Sequence, residues 1–488
     1  MASQAYFRPM AHTFFWHDYE TFGAQPRYDR PAQFAGIRTD DQLNEIGEPV
    51  MWYCQPANDY LPDPQACLIT GITPQRALEE GIPEHEFSAL IEGELAQPGT
   101  VGVGYNTIRF DDEITRFMFW RNLTDPYARE WQNGCGRWDL LDVVRMVYAL
   151  RPDGIQWPSK EDGTPSFKLE DLARANGLLH EQAHDALSDV RATIALAKLI
   201  RDRQPRLFDF AFGLHKKEGA LREMGLPATQ EHARPFLHVT GMISPARGCI
   251  GVMWPLATHP TNKNEVICWD LSADPTELGG ISIEDLRLRM FTRQADLPEG
   301  VTRLPIKSIH INKSPMVVGS LKTLSSAMAE KWGVSMEQAL QYAAIARDLP
   351  DMSAQWKAVF TRESGEPLDA DQDLYGGFVG NEDRRRLERI KRLSPQELAL
   401  DKTGFDDARL TELVWRYRAR NFPMTLNDGE QQRWEQHRVA CLIEGQGGAR
   451  TAEQMFAMID ALSETADERA EEVLGELYDY ADGIVPEV

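Results

Sequence analysis

Two acidic residues at alternate positions, Asp18 and Glu20, close the stretch Phe14-Phe15-Trp16-His17-Asp18-Tyr19-Glu20-Thr21. Side chains of a β-strand alternate between faces, so both carboxylates point the same way. Like charges in that position repel, and a divalent cation between them relieves the repulsion. A lone D-x-E is more often a solvated strand end. Two later motifs shift the balance. Asn106-Thr107-Ile108-Arg109-Phe110-Asp111 follows the apolar run Val101–Tyr105, and His184-Asp185-Ala186-Leu187-Ser188-Asp189 opens a helix carrying Ala192, Leu196 and Ile200. In order these read D-x-E, N-x3-F-D and H-x4-D. Each motif alone is weak; three in order on plausible elements are strong. Carboxylates suit magnesium, which takes oxygen ligands and keeps several waters. That chemistry is metal-assisted phosphodiester hydrolysis, where positioning and charge neutralisation dominate.

The elements that must position these groups follow from pattern. Phe14–Thr21, Gln33–Thr39 and Val50–Gln55 read as three strands in an antiparallel start, with Val101–Tyr105 as a fourth. Leu68 to Pro74 reads as a loop, with Thr73-Pro74 starting a helix. Phe87–Leu95, Asp112–Asn122, Trp138–Leu150, Leu169–Asn176 and Ala186–Ile200 read as helices. Strands then helices indicate a layered α/β domain. Gly102-x-Gly104 lacks the rest of a nucleotide-loop pattern and reads as close packing. A boundary is expected near Arg201–Arg206, around Pro205. Beyond it Phe236–Thr240, Ile250–Leu256, Glu265–Leu271 and Pro305–Ile311 are candidate strands, followed by a helix over Ser335–Arg347. From Met352 onward the chain reads as helical. The domains expected are residues 13–204, 205–351 and 352–488.

Composition sets limits. At 488 residues the chain is too long for one ordinary core. No apolar run of about 18 residues exists, so no transmembrane helix is expected. Six scattered cysteines without a C-x-x-C suit a reducing cytoplasm and argue against zinc or disulfides. A formal charge of −23 at first argues against nucleic acid. Between Glu453 and Glu487, however, the only basic residue is Arg469, so acidity concentrates in the tail and leaves room for a local basic groove.

The chain resembles the DEDD superfamily of 3′→5′ exonucleases, in its histidine subclass, and more narrowly the bacterial exonuclease I family. The resemblance rests on H-D-Y-E-T-F-G, D-R-P-A-Q-F, G-I-T-P-Q, R-F-D-D-E, R-W-D-L-L-D-V, A-L-R-P, H-D-A and R-Q-P-R-L-F-D, and later on H-I-N-K and R-A-R-N-F-P. It is dense to about Asp209 and patchier beyond. It implies an α/β ribonuclease-H-like exonuclease domain, then an SH3-like β-rich domain and an all-α C-terminal domain. It also implies Mg2+-dependent, processive 3′→5′ degradation of single-stranded DNA to nucleoside 5′-monophosphates, in DNA repair and recombination. Asp18, Glu20, Asp111 and Asp189 would hold two magnesium ions, with Mn2+ able to substitute, and His184 would act as general base. Two such ions, about 3.5–4 Å apart, stabilise both attacking and leaving oxygens. The same residues have bland readings: Asp112 or Asp111 as a helix N-terminal charge, Asp185 as a cap.

For the strand itself, basic and aromatic residues should interleave. Candidates are Arg116, Tyr127, Trp131, Arg145, Lys168, Phe210, Lys263, Tyr375 and Phe378, with Glu20 also near substrate. Tyr127 and Trp131, four apart, would share a helical face. Arg145 is equally readable as a partner of Asp142. Relatives commonly carry arginine at the position of Lys168 and tyrosine at that of Phe210; lysine loses the bidentate fork. Lys307 and Lys313 are further backbone contacts in outline, and Arg418 and Arg420 either bind phosphate or pair with the acidic tail. The implied partners are single-stranded DNA and the acidic C-terminal tail of single-stranded DNA-binding protein, the latter on a basic pocket; Arg151 is a candidate contributor to it. No membrane partner, a monomer and a cytoplasmic location are expected. Alternatives are an exoribonuclease or proofreading exonuclease of the same superfamily, or a noncatalytic nucleic-acid-binding adaptor.

Overall fold

A computed structural model describes residues 12–178, 186–361 and 368–486. They form two compact units. The first draws on described residues within 1–136, 180–191 and 366–488, the second on those within 137–179 and 192–365.

In the first unit, β1 (Thr13–Thr21) is central. It pairs antiparallel with β2 (Pro31–Thr39), in a register that sets Asp18 opposite Ala35 and Glu20 opposite Gln33. β2 pairs antiparallel with β3 (Val50–Gln55). Helix α1 (Pro64–Thr70) and helix α2 (Pro74–Glu80) lead to the two-residue strand β4 (Ile82–Pro83), parallel to β3. Helix α3 (Glu84–Leu95) returns the chain to β5 (Thr100–Gly104), which lies parallel to β1 on its other side. These strands stand in the order β4-β3-β2-β1-β5.

The pairing of β1 with β5 runs from Thr13 to Trp16 and stops. Asp18 and Glu20 therefore project past the carboxyl end of β5, where parallel sheets present their ligands. The chain turns there through Asn106, whose φ of 68° is left-handed, into helix α4 (Asp111–Arg121). Gly104 makes the turn possible: a Cβ there would sit 2.5 Å from the carbonyl oxygen of His17 and 2.2 Å from the Thr107 methyl. The glycine pair is thus a packing device.

Alternation along β1 also builds the core. Phe15 and Tyr19 join Phe34, Phe87, Ile91, Ile114, Met118 and Phe119 beneath α3 and α4, each large apolar side chain contributing about 1.5–3 kcal/mol. The opposite side of α4, Phe117 and Trp120, packs on Leu374, in a turn, and on Ile390, Leu410 and Leu413 of the C-terminal helices. A buried ionic cluster joins the same parts: Arg420 meets Asp59 at 2.7 Å and Asp371 at 2.5 Å, and Arg416 meets Asp369 at 2.7 Å. Arg418 pairs with Glu430. Arg418 is thus paired within the C-terminal helices and Arg420 with Asp59 and Asp371, neither with the acidic residues beyond Glu453.

The second unit contains five antiparallel strands in the order Ile306–His310, Glu265–Asp270, Ile250–Thr258, Phe236–Val239 and Met316–Val318. The last strand and the helices Pro205–Gly213 and Lys217–Met224 were not anticipated; Pro205 is the first residue of its helix, where its missing N–H costs nothing. Leu68–Thr70 also departs from expectation, lying in α1: Asp63 accepts from the Gln65 amide and Pro64 opens the helix. The segment expected as helix from Trp138 begins instead with a strand, Gly136–Asp139, and Asp139 then caps the helix Leu140–Leu150. Among the described residues no helix is long and apolar enough to cross a membrane, and all six cysteines are free thiols.

Candidate active site

Three of the four carboxylates predicted to act together do converge. Asp18 and Glu20 reach from the end of β1, and Asp189 from the first turn of the helix Ala186–Arg203. One ligand oxygen from each lies within 4.8 Å of the others. Asp111 opens α4, and its Oδ1 accepts the Tyr19 amide at 3.1 Å. All four acids interact. Burial pushes the Asp18 carboxyl well above the usual carboxylate range, and Asp111, Glu20 and Asp189 push it further. A site of oxygen donors that resists carrying its own negative charge fits a divalent cation. His184 and its neighbour Asp185 lie outside the described residues.

Asp111 and Asp112 differ in geometry. Asp112 turns inward to an ion pair with Arg129 at 2.5 Å, the two side chains 2% and 1% exposed. It serves the framework, whereas Asp111 interacts with Asp18.

His17, on the opposite face of β1 from Asp18, is buried and has no hydrogen-bond partner among the described residues on either ring nitrogen. Burial first, then the charge of Arg129, lowers its pKa to about 4 against an opposing effect of Asp112. It is a neutral core histidine, stacked on Phe34.

The proposed strand contacts divide. Arg116 is only 4% exposed. It binds Glu130 through two bonds of 2.7 and 2.8 Å and Glu113 through one of 2.7 Å, accepts no open role, and lies against the Tyr127 ring. The Tyr375 hydroxyl joins this network at Arg116 and Glu113. Arg116 is thus held within the framework by Glu113, Glu130 and Tyr375, whereas Tyr127 is half-buried under its guanidinium. Nor do Tyr127 and Trp131 share a helical face: two short 3-10 turns, Ala128–Glu130 and Gln132–Gly134, meet at Trp131. Trp131 is nevertheless 66% exposed and Phe378 88%. Arg145 is bound to Asp142 at 2.6 Å, its bland reading. Lys168 and Lys263 are exposed and Phe210 half-buried, all three in the second unit. There Arg151, Arg206, Leu207, Phe210, Val318 and Thr323 surround a concavity of about 550 Å³. Sequence reasoning missed Tyr19, Thr115 and Arg129, which hold the acidic residues; Tyr19 lies between Asp18 and Glu20 and Thr115 one helical turn after Asp111, whereas Arg129, 17 residues beyond Asp112, carried no local signal.

Fold and acidic site together define an exonuclease with a ribonuclease-H-like catalytic domain. Residues 15–197 match the exonuclease family, 220–362 the exonuclease I SH3-like domain and 368–484 the exonuclease I C-terminal domain. Exodeoxyribonuclease I of Escherichia coli K12 is 47% identical over 429 residues, 87% of this chain and 89% of its own. That of Haemophilus influenzae is 42% identical over 473 residues, 96% and 98%. Exonuclease I from Methylocaldum szegediense superposes with a TM-score of 0.92 at 46% identity, over 97% of this chain and all of its own. The E. coli enzyme bound to a dA16 oligonucleotide gives 0.90 at 44%, with the same coverage; a solved SSB/exonuclease I structure with the inhibitor CFAM is also similar, at 0.87 and 42%, over 97% of this chain and all of its own. This chain belongs to the exonuclease I family.

Proposed function

We propose that this protein is a magnesium-dependent, processive 3′→5′ exodeoxyribonuclease that releases nucleoside 5′-monophosphates from single-stranded DNA during repair and recombination. The carrying observation is the meeting of Asp18, Glu20 and Asp189 within 4.8 Å, with Asp111 beside them. These four carboxylates hold the two metal positions, and Mn2+ can substitute. When bound, such ions neutralise charge on the attacking and leaving oxygens of the scissile phosphate. Asp18 and Glu20 are fixed by the antiparallel register of β1 with β2, so the acidic face keeps its spacing without substrate. His184, from the H-x4-D spacing, takes the proton of the attacking water.

Trp131, Tyr375 and Phe378 offer exposed aromatic faces for bases. Lys168 and Lys263 supply cations for the backbone, and Phe210 an apolar surface. The similar SSB/exonuclease I structure supports single-stranded DNA-binding protein as partner. Its acidic tail fits the concavity between Arg151, Arg206 and Phe210, where two guanidinium groups flank an apolar floor. We read the enzyme as a cytoplasmic monomer; six free thiols suit a reducing compartment.

Digestion of end-labelled single strands, as DNA and as RNA with each end blocked in turn, tests the reading. A blocked 3′ end should stop magnesium-dependent digestion of DNA, and a blocked 5′ end should not. Preference for RNA would replace it with an exoribonuclease.

A further inference from the structure

We propose that Tyr19 is the positioning residue of the acidic site, holding Asp111 at both its side chain and its main chain. The Tyr19 amide donates to Asp111 Oδ1 at 3.1 Å. The Thr115 hydroxyl donates to the Asp111 carbonyl at 2.8 Å. Tyr19 Oη and Thr115 Oγ1 are 3.0 Å apart. A threonine hydroxyl has a single hydrogen, and that of Thr115 is committed to the carbonyl. The Tyr19 hydroxyl is therefore the donor of the third bond. A closed loop results, from the Tyr19 hydroxyl through Thr115 to the Asp111 backbone, and from the Asp111 carboxylate back to the Tyr19 amide.

The position of Tyr19 explains why this loop matters. It stands between Asp18 and Glu20 but points to the other face, 5% exposed, with its ring 4.8 Å from that of Phe34. The first turn of α4 carries no side-chain cap, since Phe110 precedes it. Its orientation is set instead by Thr115 on this side and by the Asp112–Arg129 pair on the other. A helix start free to rotate would move Asp111 away from Asp18 and Asp189. Tyr19 thus ties the β1 acids and the α4 acid into one rigid set, the role that outer partners of ligating carboxylates play.

The inference rests on the reading of Asp111 as a metal ligand. Titration of Mn2+ into the substrate-free full-length protein, followed calorimetrically, separates the two. Tyr19→Phe keeps the ring and removes the donor; Thr115→Val removes both hydroxyl bonds; Thr115→Ser keeps them. Both losses should weaken manganese binding about 10–100-fold, as for other outer partners, and raise the magnesium concentration for half-maximal hydrolysis similarly. Thr115→Ser should behave as wild type, KM for single-stranded DNA should hold, and the double variant Tyr19→Phe/Thr115→Val should be no weaker than Thr115→Val alone. Wild-type manganese affinity in Tyr19→Phe overturns the proposal, even if the variant is less stable. If the unaltered protein itself binds no manganese, the metal reading falls and this inference with it.

Discussion

Arg129 and Asp112 form an ion pair at 2.5 Å with almost no solvent contact, one residue away in sequence from the acid that faces the site. Two adjacent aspartates thus have opposite duties: Asp112 anchors the start of α4, and Asp111 is presented beside Asp18. Removing one member of a buried pair leaves the other charge uncompensated. Arg129→Met should destabilise the fold by about 3–5 kcal/mol, seen as a lower urea midpoint. A midpoint within experimental error of wild type would show that Asp112 finds other compensation.

The ionic cluster around Arg420 predicts a specific acid sensitivity. Burial alone would raise the Asp59 carboxyl, but Arg420 outweighs it, and His437 and Arg30 add to the effect, leaving the pKa well below the ordinary 3.8. Asp371 is likewise held down, by Arg420 and Arg416 against burial. A depressed folded-state pKa gives stability that is present above the unfolded value and lost as pH falls toward the folded one. Wild-type stability should therefore drop steeply below about pH 4. Asp59→Asn, already weakened at pH 7, should show a shallower drop in that window; parallel pH curves for the two proteins would refute the assignment.

Asp18→Ala removes a ligand rather than an outer partner. Magnesium-dependent hydrolysis should fall by more than the roughly 100-fold upper range of outer-partner losses. Binding of single-stranded DNA in calcium should remain measurable by fluorescence anisotropy. Near-normal turnover would mean that the acidic cluster is not the reacting centre.

Trp131 is exposed at the junction of two short turns. Stacking of a base on an aromatic side chain is worth about 1–3 kcal/mol, so Trp131→Ala should weaken capture of long single strands roughly 5- to 150-fold by that same range. Its effect on kcat for short oligonucleotides should be much smaller. Unchanged affinity in a binding titration would remove Trp131 from the strand's path.

Local pattern made much of this site legible. Alternation in Phe14–Thr21 put Asp18 and Glu20 on one face, and the observed register agrees. Spacing alone selected Asp111 over Asp112; both are buried, and what sets them apart is the Arg129 partner of Asp112. What stayed hidden depends on partners far apart in the chain. Arg116 looked like an open cation because Tyr375, 259 residues away, and Glu130 are invisible to any local window. Tyr127 and Trp131 looked helical because four-residue spacing does not distinguish an α-helix from two tight turns. Helix α1 was overlooked although Asp63-Pro64 is a complete start signal, because an apolar run after it reads equally as loop anchorage.

The early end of the β1–β5 pairing gives the Tyr19 amide a use of its own. Its proton is bonded to the side chain of Asp111. That one backbone resonance therefore reports directly on the carboxylate across the site. In a deuterated, nitrogen-labelled sample its chemical shift and exchange rate become a built-in gauge of cation loading, readable without substrate or an attached dye.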